Sequence, residues 1–376
     1  MPVTDQAQIF ETETKTGLSD ILPHYLRDKK AVCKIVHTGG NNYKVFRLRQ
    51  TLSSAEELAA APEYVNANAY DALRTNAYAF KLPFDLNHTE GNAYFTRFDI
   101  SRAELMRDFQ SAGNPADEAI AAEKLGLTDA ERELIVTSDA VNQQLYWNTT
   151  AATASDEMKV VDTFLTKTGL TYKELVLLLS LRFIDPAKNL FIKHLDLTCD
   201  TTKKEIANLD DVALDRIHRF LRLQKKTGWI FEVLNEIISQ SKLGSGQLDN
   251  ACLVKAAALI KLSEETGLKI TEVVGFYEEI PHKEFMEDET VPLYHQVFLN
   301  KAKNGFIDEG LLAEEVDGSQ LLITFKTSIS VCLQIKEQDL EFKLLPLLPD
   351  GNLKFSNLSY LYAASRLMKK LKLKIE

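Results

Sequence analysis

The stretch TGLTYKEL at residues 168–175 decides how this chain folds. Gly169 is suited to the left-handed backbone that ends a helix, and Leu170 can fold back as the accompanying hydrophobic contact. Thr171 and Glu174 have the spacing of a capping box, in which each side chain binds the other residue's backbone N–H at a helix start. This phrase therefore predicts that one helix ends and another begins, and we call it a joint.

The joint recurs along the chain, at uneven intervals of roughly 40 to 65 residues, whereas regular solenoids keep a tighter period. The other strong copies are LGLTDAE (125–131), TGWIFEVL (227–234) and TGLKITEVV (266–274), and the weaker ones are LQIKEQDL (333–340) and LKLKIE (371–376). Further capping-box pairs are Thr128 with Glu131, Ser53 with Glu56 and Ser101 with Glu104. The sequence predicts a mainly α-helical, irregular stack of helical hairpins. Because the last copy opens a new unit, we expect the body to continue beyond residue 376.

The N-terminal region has a different pattern. Residues 31–37 (AVCKIVH) and 43–48 (YKVFRL) alternate apolar and polar side chains around a Gly- and Asn-rich turn, which predicts a β-hairpin. A lone hairpin is not stable, so it should pack on helices or pair with another strand. Residues 321–326 (LLITFK) are one candidate strand, although the joint that follows also favours a helix there. We therefore divide the chain into an N-terminal region, 1–52, and a helical domain, 53–376.

Composition excludes several classes of function. The net charge of −10 over 376 residues disfavours nonspecific binding to nucleic acid or anionic lipid. No stretch reaches the roughly 20 apolar residues that span a bilayer, and the first residues lack the pattern of a classical signal peptide. Cys33, Cys199, Cys252 and Cys332 are widely separated, without paired spacing for zinc or redox chemistry. We expect reduced, mostly packed thiols in a chain made in a reducing cytoplasm.

Several landmarks resemble the A components of insecticidal toxin complexes (Tc toxins), a region shared with virulence-plasmid A proteins. They are LPFDL (82–86) followed by ISRAELM (100–106), LRFIDP (181–186), LDRIHRFLRL (214–223) and YHQVFLN (294–300). These landmarks occur in the family's order, and the resemblance covers the chain from about residue 64 onward. The family's N-terminal SPAAYL and RRPDL landmarks are absent and the hairpin region stands in their place.

The resemblance implies a structural role. In that family these segments build the α-helical shell around the translocation channel of a large homo-oligomer, while other subunits deliver the toxic enzyme. It implies a bacterial, non-enzymatic shell module with protein partners, released with a toxin complex. It implies no catalytic residues, no metal, no cofactor and no direct membrane insertion by this segment. Nothing here corresponds to the channel, the linker or the surface for the partner component, so this chain alone is not expected to form a pore.

Two other classes of function stay open. The first is a free-standing bacterial virulence adaptor or effector with a helical solenoid, which binds a partner protein in a groove. The second is an enzyme whose site is assembled from residues far apart in the sequence. No phosphate-binding loop, nucleophile elbow or paired zinc histidines are present in the sequence, which disfavours the enzyme.

One cationic stripe could carry function. Arg216, Arg219, Arg222 and Lys226 recur three or four residues apart, so they share one face of a helix that ends at Gly228. Such a face could track phosphates. The alternative is a salt-bridge face, for which Asp210, Asp211, Asp215 and Glu232 are the nearby acidic partners. We favour the salt-bridge face, because no aromatic residues interleave the charges as binders of single-stranded nucleic acid require.

Other titratable clusters are weaker candidates. Asp85, His88 and Glu90 offer metal-type ligands, but Asn87 and Gly91 favour an exposed turn. The second cluster could bind calcium weakly but lacks the pattern of a calcium loop, so we interpret it as an acidic loop; it comprises His282, Glu284, Glu287, Asp288 and Glu289. His218 could sense pH, although a hydrogen-bonded or exposed histidine is the commoner case.

Overall fold

The computed structural model describes residues 9–16, 33–48, 83–282 and 291–373. The chain forms two compact units, Met1–Ala69 and Tyr70–Glu376. The boundary predicted between residues 52 and 53 and the capping pair of Ser53 and Glu56 lie outside the described residues.

The first unit contains a three-stranded antiparallel sheet in the order β1–β3–β2. Its strands are β1 (Ile9–Thr16), β2 (Cys33–Gly39) and β3 (Asn42–Leu48). The predicted hairpin is confirmed as β2 and β3, with His37 opposite Tyr43. The partner strand predicted at 321–326 is wrong, because β1 supplies the third strand by pairing along β3. Residues 322–325 instead form a 3₁₀ helix that leads into an α-helix, as the alternative interpretation allowed.

The second unit is mainly helical, and its first helices precede a small β-hairpin. They are α1 (Leu86–Arg97), α2 (Arg102–Asp108), α3 (Asp117–Lys124), α4 (Asp129–Val136), α5 (Gln143–Trp147), α6 (Ala154–Met158), α7 (Val161–Thr168) and α8 (Tyr172–Ser180). The hairpin pairs β4 (Phe191–His194) with β5 (Lys204–Ala207).

The later helices of this unit flank a second short strand pair. They are α9 (Asp211–Thr227), α10 (Phe231–Ser239), α11 (Asn250–Thr266), α12 (Ile270–Val274), α13 (Leu293–Phe298), α14 (Lys301–Asn304), α15 (Lys326–Leu333), α16 (Glu337–Asp339) and α17 (Phe355–Leu371). The strands β6 (Asp317–Leu321) and β7 (Asn352–Lys354) pair antiparallel. A single π-helical turn, Leu340–Leu344, follows α16.

The joints have the backbone that their sequence predicts. Gly126, Gly169, Gly228 and Gly267 are all left-handed, with φ between 63° and 72°. After α3, the amide of Leu127 donates to the Ala122 carbonyl, which closes the wide turn of a Schellman motif. The capping boxes that open α4 and α8 are both formed. The local predictions of helix end and helix start are therefore confirmed at these joints.

A threonine before three of the joint glycines adds a contact that the sequence analysis did not anticipate. The hydroxyls of Thr168, Thr227 and Thr266 donate to the carbonyl four residues earlier, at 2.8, 3.0 and 2.6 Å. Each hydroxyl also accepts a hydrogen bond from the amide two residues later, across the glycine. The threonine thus fixes both sides of the left-handed residue. Its recurrence before the joint glycines is the sequence signal from which this contact could have been predicted.

The described helices enclose two hydrophobic cores. The first contains fully buried side chains from α4 to α12, among them Trp147, Phe164 and Phe220. The second is built between residues 280 and 362 around Tyr294 and the neighbouring helices. Phe276 is partly buried and packs against both cores. The two cores therefore meet at Phe276, where the chain passes from the first to the second.

Candidate functional site

Asp215 of α9 is the centre of a buried charged cluster. Its side chain is only 2% exposed, and its carboxylate accepts hydrogen bonds at 2.9 Å from both Ser138 Oγ and the Asp139 amide. Arg219, one turn further along α9, approaches the carboxylate with Nε at 3.0 Å and Nη2 at 2.9 Å. Burial raises the pKa of Asp215, but the nearby His218 ring, the hydrogen bond from the Asp139 amide and the charge of Arg219 outweigh it. The resulting pKa is lowered to about 2.

His218 faces the same carboxylate. Its Nε2 lies 3.4 Å from Asp215 Oδ1, and its ring stacks on Tyr146 with 4.6 Å between the ring centres. Within the described residues, neither ring nitrogen makes a well-aligned hydrogen bond. Burial is the largest effect on His218 and lowers its pKa; Asp215 opposes this effect, and the positive charge of Arg222 adds to it. A histidine that is 1% exposed and held neutral is a packed core group at neutral pH.

The cationic stripe of α9 points largely into the protein. Arg222 is fully buried, its Nη2 lies 3.4 Å from the Tyr146 carbonyl oxygen, and burial lowers its pKa to about 10. Lys226 pairs with Glu131 of α4 at 3.0 Å. Arg219 Nη1 also donates to the Leu248 carbonyl at 3.0 Å. Arg219 and Lys226 therefore form ion pairs, as the salt-bridge interpretation predicted, whereas the contact described for Arg222 is to a backbone carbonyl. The two arginines are buried, so they do not form a surface for phosphates.

The acidic partners predicted for the stripe have different roles. Asp215 pairs with Arg219 as expected. Asp210 caps α9 by accepting from the Ala213 amide, and Asp211 accepts from the Ser155 amide. The carboxylate that binds Lys226 comes from Glu131, 95 residues away, and this distance along the sequence kept it out of the prediction.

The candidate ligands around His88 do not converge. Asn87 and Gly91 lie within helix α1, so the exposed turn predicted there is wrong. Asp85 caps this helix by accepting from the His88 amide at 3.0 Å, while His88 Nε2 lies 3.0 Å from Glu123 of α3. Nowhere in 83–282 or 291–373 do three His, Cys, Asp or Glu side chains gather as metal ligands.

The acidic segment after Pro281 is largely outside the described residues, which exclude 283–290. The prediction for Glu284, Glu287, Asp288 and Glu289 therefore stays a prediction. His282 is described, and its ring stacks on Phe355 with 3.6 Å between ring centres.

Two of the predicted packed thiols are confirmed. Cys252 and Cys332 are buried, and burial raises the pKa of Cys252 to about 12 and that of Cys332 to about 11. Cys199 is an exposed free thiol, which the prediction of mostly packed thiols allows. The side chain of Cys33 lies outside the described ones.

A groove with a cavity of about 570 Å³ lies between the two cores. One wall comes from α10 and α12, and the other comes from α13, α14 and α17. Its apolar lining consists of Ile230, Val233, Pro281, Val291, Pro292, Leu293 and Val297. Sequence reasoning missed this groove because its two walls come from segments that are far apart in the chain and carry no common motif.

Two smaller depressions adjoin the groove. One, of about 80 Å³, shares Glu236 and Pro281 with the main cavity. The other, of about 10 Å³, shares Val297, Lys303 and Arg366 with it. The two depressions share no lining residue with each other, so they adjoin the groove at different places.

The wall beside α17 contains a pair of coupled charges. Arg366 Nη2 lies 3.5 Å from Glu272 Oε1, and its guanidinium lies over the Tyr362 ring at 5.5 Å. Burial and the charge of Arg366 lower the pKa of the nearby Lys303. This wall thus holds cations close enough to repel one another.

No protein-family model matches this chain, and no curated protein matches it significantly. None of the described helices is long and apolar enough to cross a membrane. The described residues of the second unit therefore form a mainly helical body with a concave groove.

Proposed function

We propose that this chain is a non-enzymatic shell module of a Tc-toxin-like A component, which acts through contacts with other proteins in a translocation assembly. The proposal rests on the contacts that the landmark at 214–223 makes in the structure. Its charged residues Asp215, Arg219 and Arg222 are buried and join α9 to neighbouring segments. A segment whose charged side chains make internal contacts suits a structural framework better than a catalytic site.

The other landmarks support the same role. In residues 181–186, Phe183 and Ile184 are buried in the first core, and Asp185 accepts from the Leu190 amide at 2.7 Å. In residues 294–300, Tyr294 and Phe298 are buried in the second core, stacked at 5.0 Å. Residues of these three landmarks therefore build the helical body, whereas helix α1, which begins at the end of the LPFDL landmark, has no buried residue.

The coding frame beyond Glu376 provides the direct test. A shell module requires the frame to continue into channel-forming sequence, and the longer product should form a homo-oligomer in which these helices surround the channel. Sequencing the frame and imaging the longer product by electron microscopy would check both. A stop codon directly after Glu376, or a longer product that stays monomeric, would refute the shell proposal.

A second candidate function is a free-standing virulence adaptor that binds a segment of a partner protein. The groove of about 570 Å³ favours it, because seven apolar side chains line it and two depressions with charged linings adjoin it. Helical proteins commonly bind partner segments in apolar grooves of this kind. This function does not depend on further chain beyond residue 376, so the two candidates can be tested separately.

A further inference from the structure

We propose that the groove binds a protein segment whose charges are separated: basic at one end, apolar in the middle and acidic at the other. The inference rests on the second candidate function and adds the chemistry of the partner. It does not depend on the shell proposal.

One end of the groove is acidic. The depression that shares Glu236 with the main cavity is also lined by Glu278 and Glu279, and Arg182 is the one arginine or lysine among its described lining residues. Glu278 accepts from the Ser241 amide, whereas Glu279 is exposed. Three carboxylates around one guanidinium leave a negative excess, which attracts lysine or arginine side chains.

The other end is basic. Lys303, Arg366 and Lys369 line the second depression, and Glu272 is the carboxylate that pairs with Arg366. Lys369 Nζ donates to the Leu333 carbonyl at 3.0 Å, which fixes its position at the end of α15. Burial lowers the pKa of Lys369, and the charges of Arg366 and Lys303 lower it further. A bound carboxylate would relieve this repulsion between like charges.

Between the two depressions the groove presents apolar side chains beside the charged residues Glu232, Lys269 and Glu272. The apolar ones are Ile230, Val233, Val291, Pro292 and Leu293. A nucleic acid fits poorly, because its phosphates would meet the acidic end. A small anion would use the basic end alone and leave the apolar centre empty. A protein segment with both charges and an apolar centre uses the whole surface.

The test is selection from a random-peptide display library on the immobilised full chain. Enriched peptides should carry Asp or Glu at one end and Lys or Arg at the other, around an apolar centre. Selection on Lys303→Glu should lose the acidic end of the motif, since Lys303 is exposed and its replacement keeps the core intact. Selection on Lys301→Glu should return the unchanged motif, because Lys301 is exposed on the same helix but does not line the groove.

Affinity of the best enriched peptide gives the quantitative arm. Lys303→Glu should weaken binding by about tenfold, Lys301→Glu should leave it unchanged, and rising salt should narrow the difference. Circular dichroism of each variant confirms that the fold is intact. Enriched peptides without charge order, or binding unaffected by Lys303→Glu, would overturn this inference but leave the second candidate function standing. Failure to enrich any peptide would refute both, and neither result bears on the shell proposal.

Discussion

Replacing Asp215 by Asn should destabilise the helical unit substantially. The variant keeps the size of the side chain but removes the charge that compensates Arg219, which is 7% exposed. The fall in the pKa of Asp215 from 3.8 to about 2 corresponds to roughly 2 kcal/mol, at 1.36 kcal/mol per pH unit. Removing one partner from a buried ion pair typically costs 3–5 kcal/mol, so we expect a loss of about 3 kcal/mol.

Urea unfolding followed by tryptophan fluorescence measures this loss where it should occur. The chain has two tryptophans, and both Trp147 and Trp229 lie in or against the first core. Asp108→Asn is the control, because that side chain is 67% exposed in a surface ion pair and should cause little change. An Asp215→Asn variant as stable as the wild type at about pH 7 would refute the account of the cluster.

The pH dependence of the same experiment sharpens it. Since the folded-state pKa of Asp215 lies below its unfolded value, its stabilisation is present above about pH 4 and is lost as the pH falls towards 2. The difference between wild type and Asp215→Asn should therefore shrink across that range. A difference that stays constant from about pH 5 to 2 would show that the loss comes from packing and not from charge.

Three further results are expected. Stability should fall as the pH drops from about 7 through 6.5, because the pKa of His218 is lowered in the folded state and the unfolded state binds the proton first. In His218→Phe the urea midpoint should depend less on pH over this range. The same pH dependence in the variant and the wild type would exclude His218 as the titrating group. Gly228→Ala should lower the free energy of unfolding by about 1–2 kcal/mol, and so the melting temperature, because alanine is strained in the left-handed backbone of residue 228. Gly91→Ala within α1 should be neutral or stabilising, and equal effects of the two substitutions would contradict the joint geometry. Mass mapping after thiol labelling should find Cys199 modified well before Cys252, whose buried thiol has a pKa of about 12, and the reverse order would contradict the packing.

The joints were predictable because the signals that form them are local. A left-handed glycine and a capping box are each decided within about six residues, so their sequence is sufficient. Gln334 and Lys372 extend the point: both are left-handed without being glycine, at φ 58° and 54°, and they occupy the weaker copies of the joint. The phrase predicted these turns even where its most characteristic residue is missing.

The errors arose where distant contacts decide the structure. Helix α1 contains Asn87 and Gly91, yet it forms because Asp85 caps it and Glu123 holds His88. Strand β1 has the sequence IFETETKT, whose polar residues show no apolar face, and it is a strand because β3 pairs with it. Neither partner can be identified from the segment itself.

The groove was unpredictable for the same reason on a larger scale. Lys303 and Arg366 are 63 positions apart in the sequence. From the sequence alone, each of them resembles an ordinary surface cation. Only the packing of α14 beside α17 brings them to one depression. The charged stripe of α9, by contrast, was visible because all its members share one helix.

The packing of α3 against α11 sets a constraint on how the protein is made. Lys124 of α3 pairs with Glu264 of α11 at 2.7 Å, across 140 residues of sequence, and Leu125 and Leu127 are buried in the same core. At a synthesis rate of about 5–20 residues per second, the ribosome needs roughly 6–25 s to reach α11 after completing α3. During that interval the earlier helices lack the layer that covers their apolar face. Nascent chains that stop before α11 should therefore depend on chaperones to stay soluble.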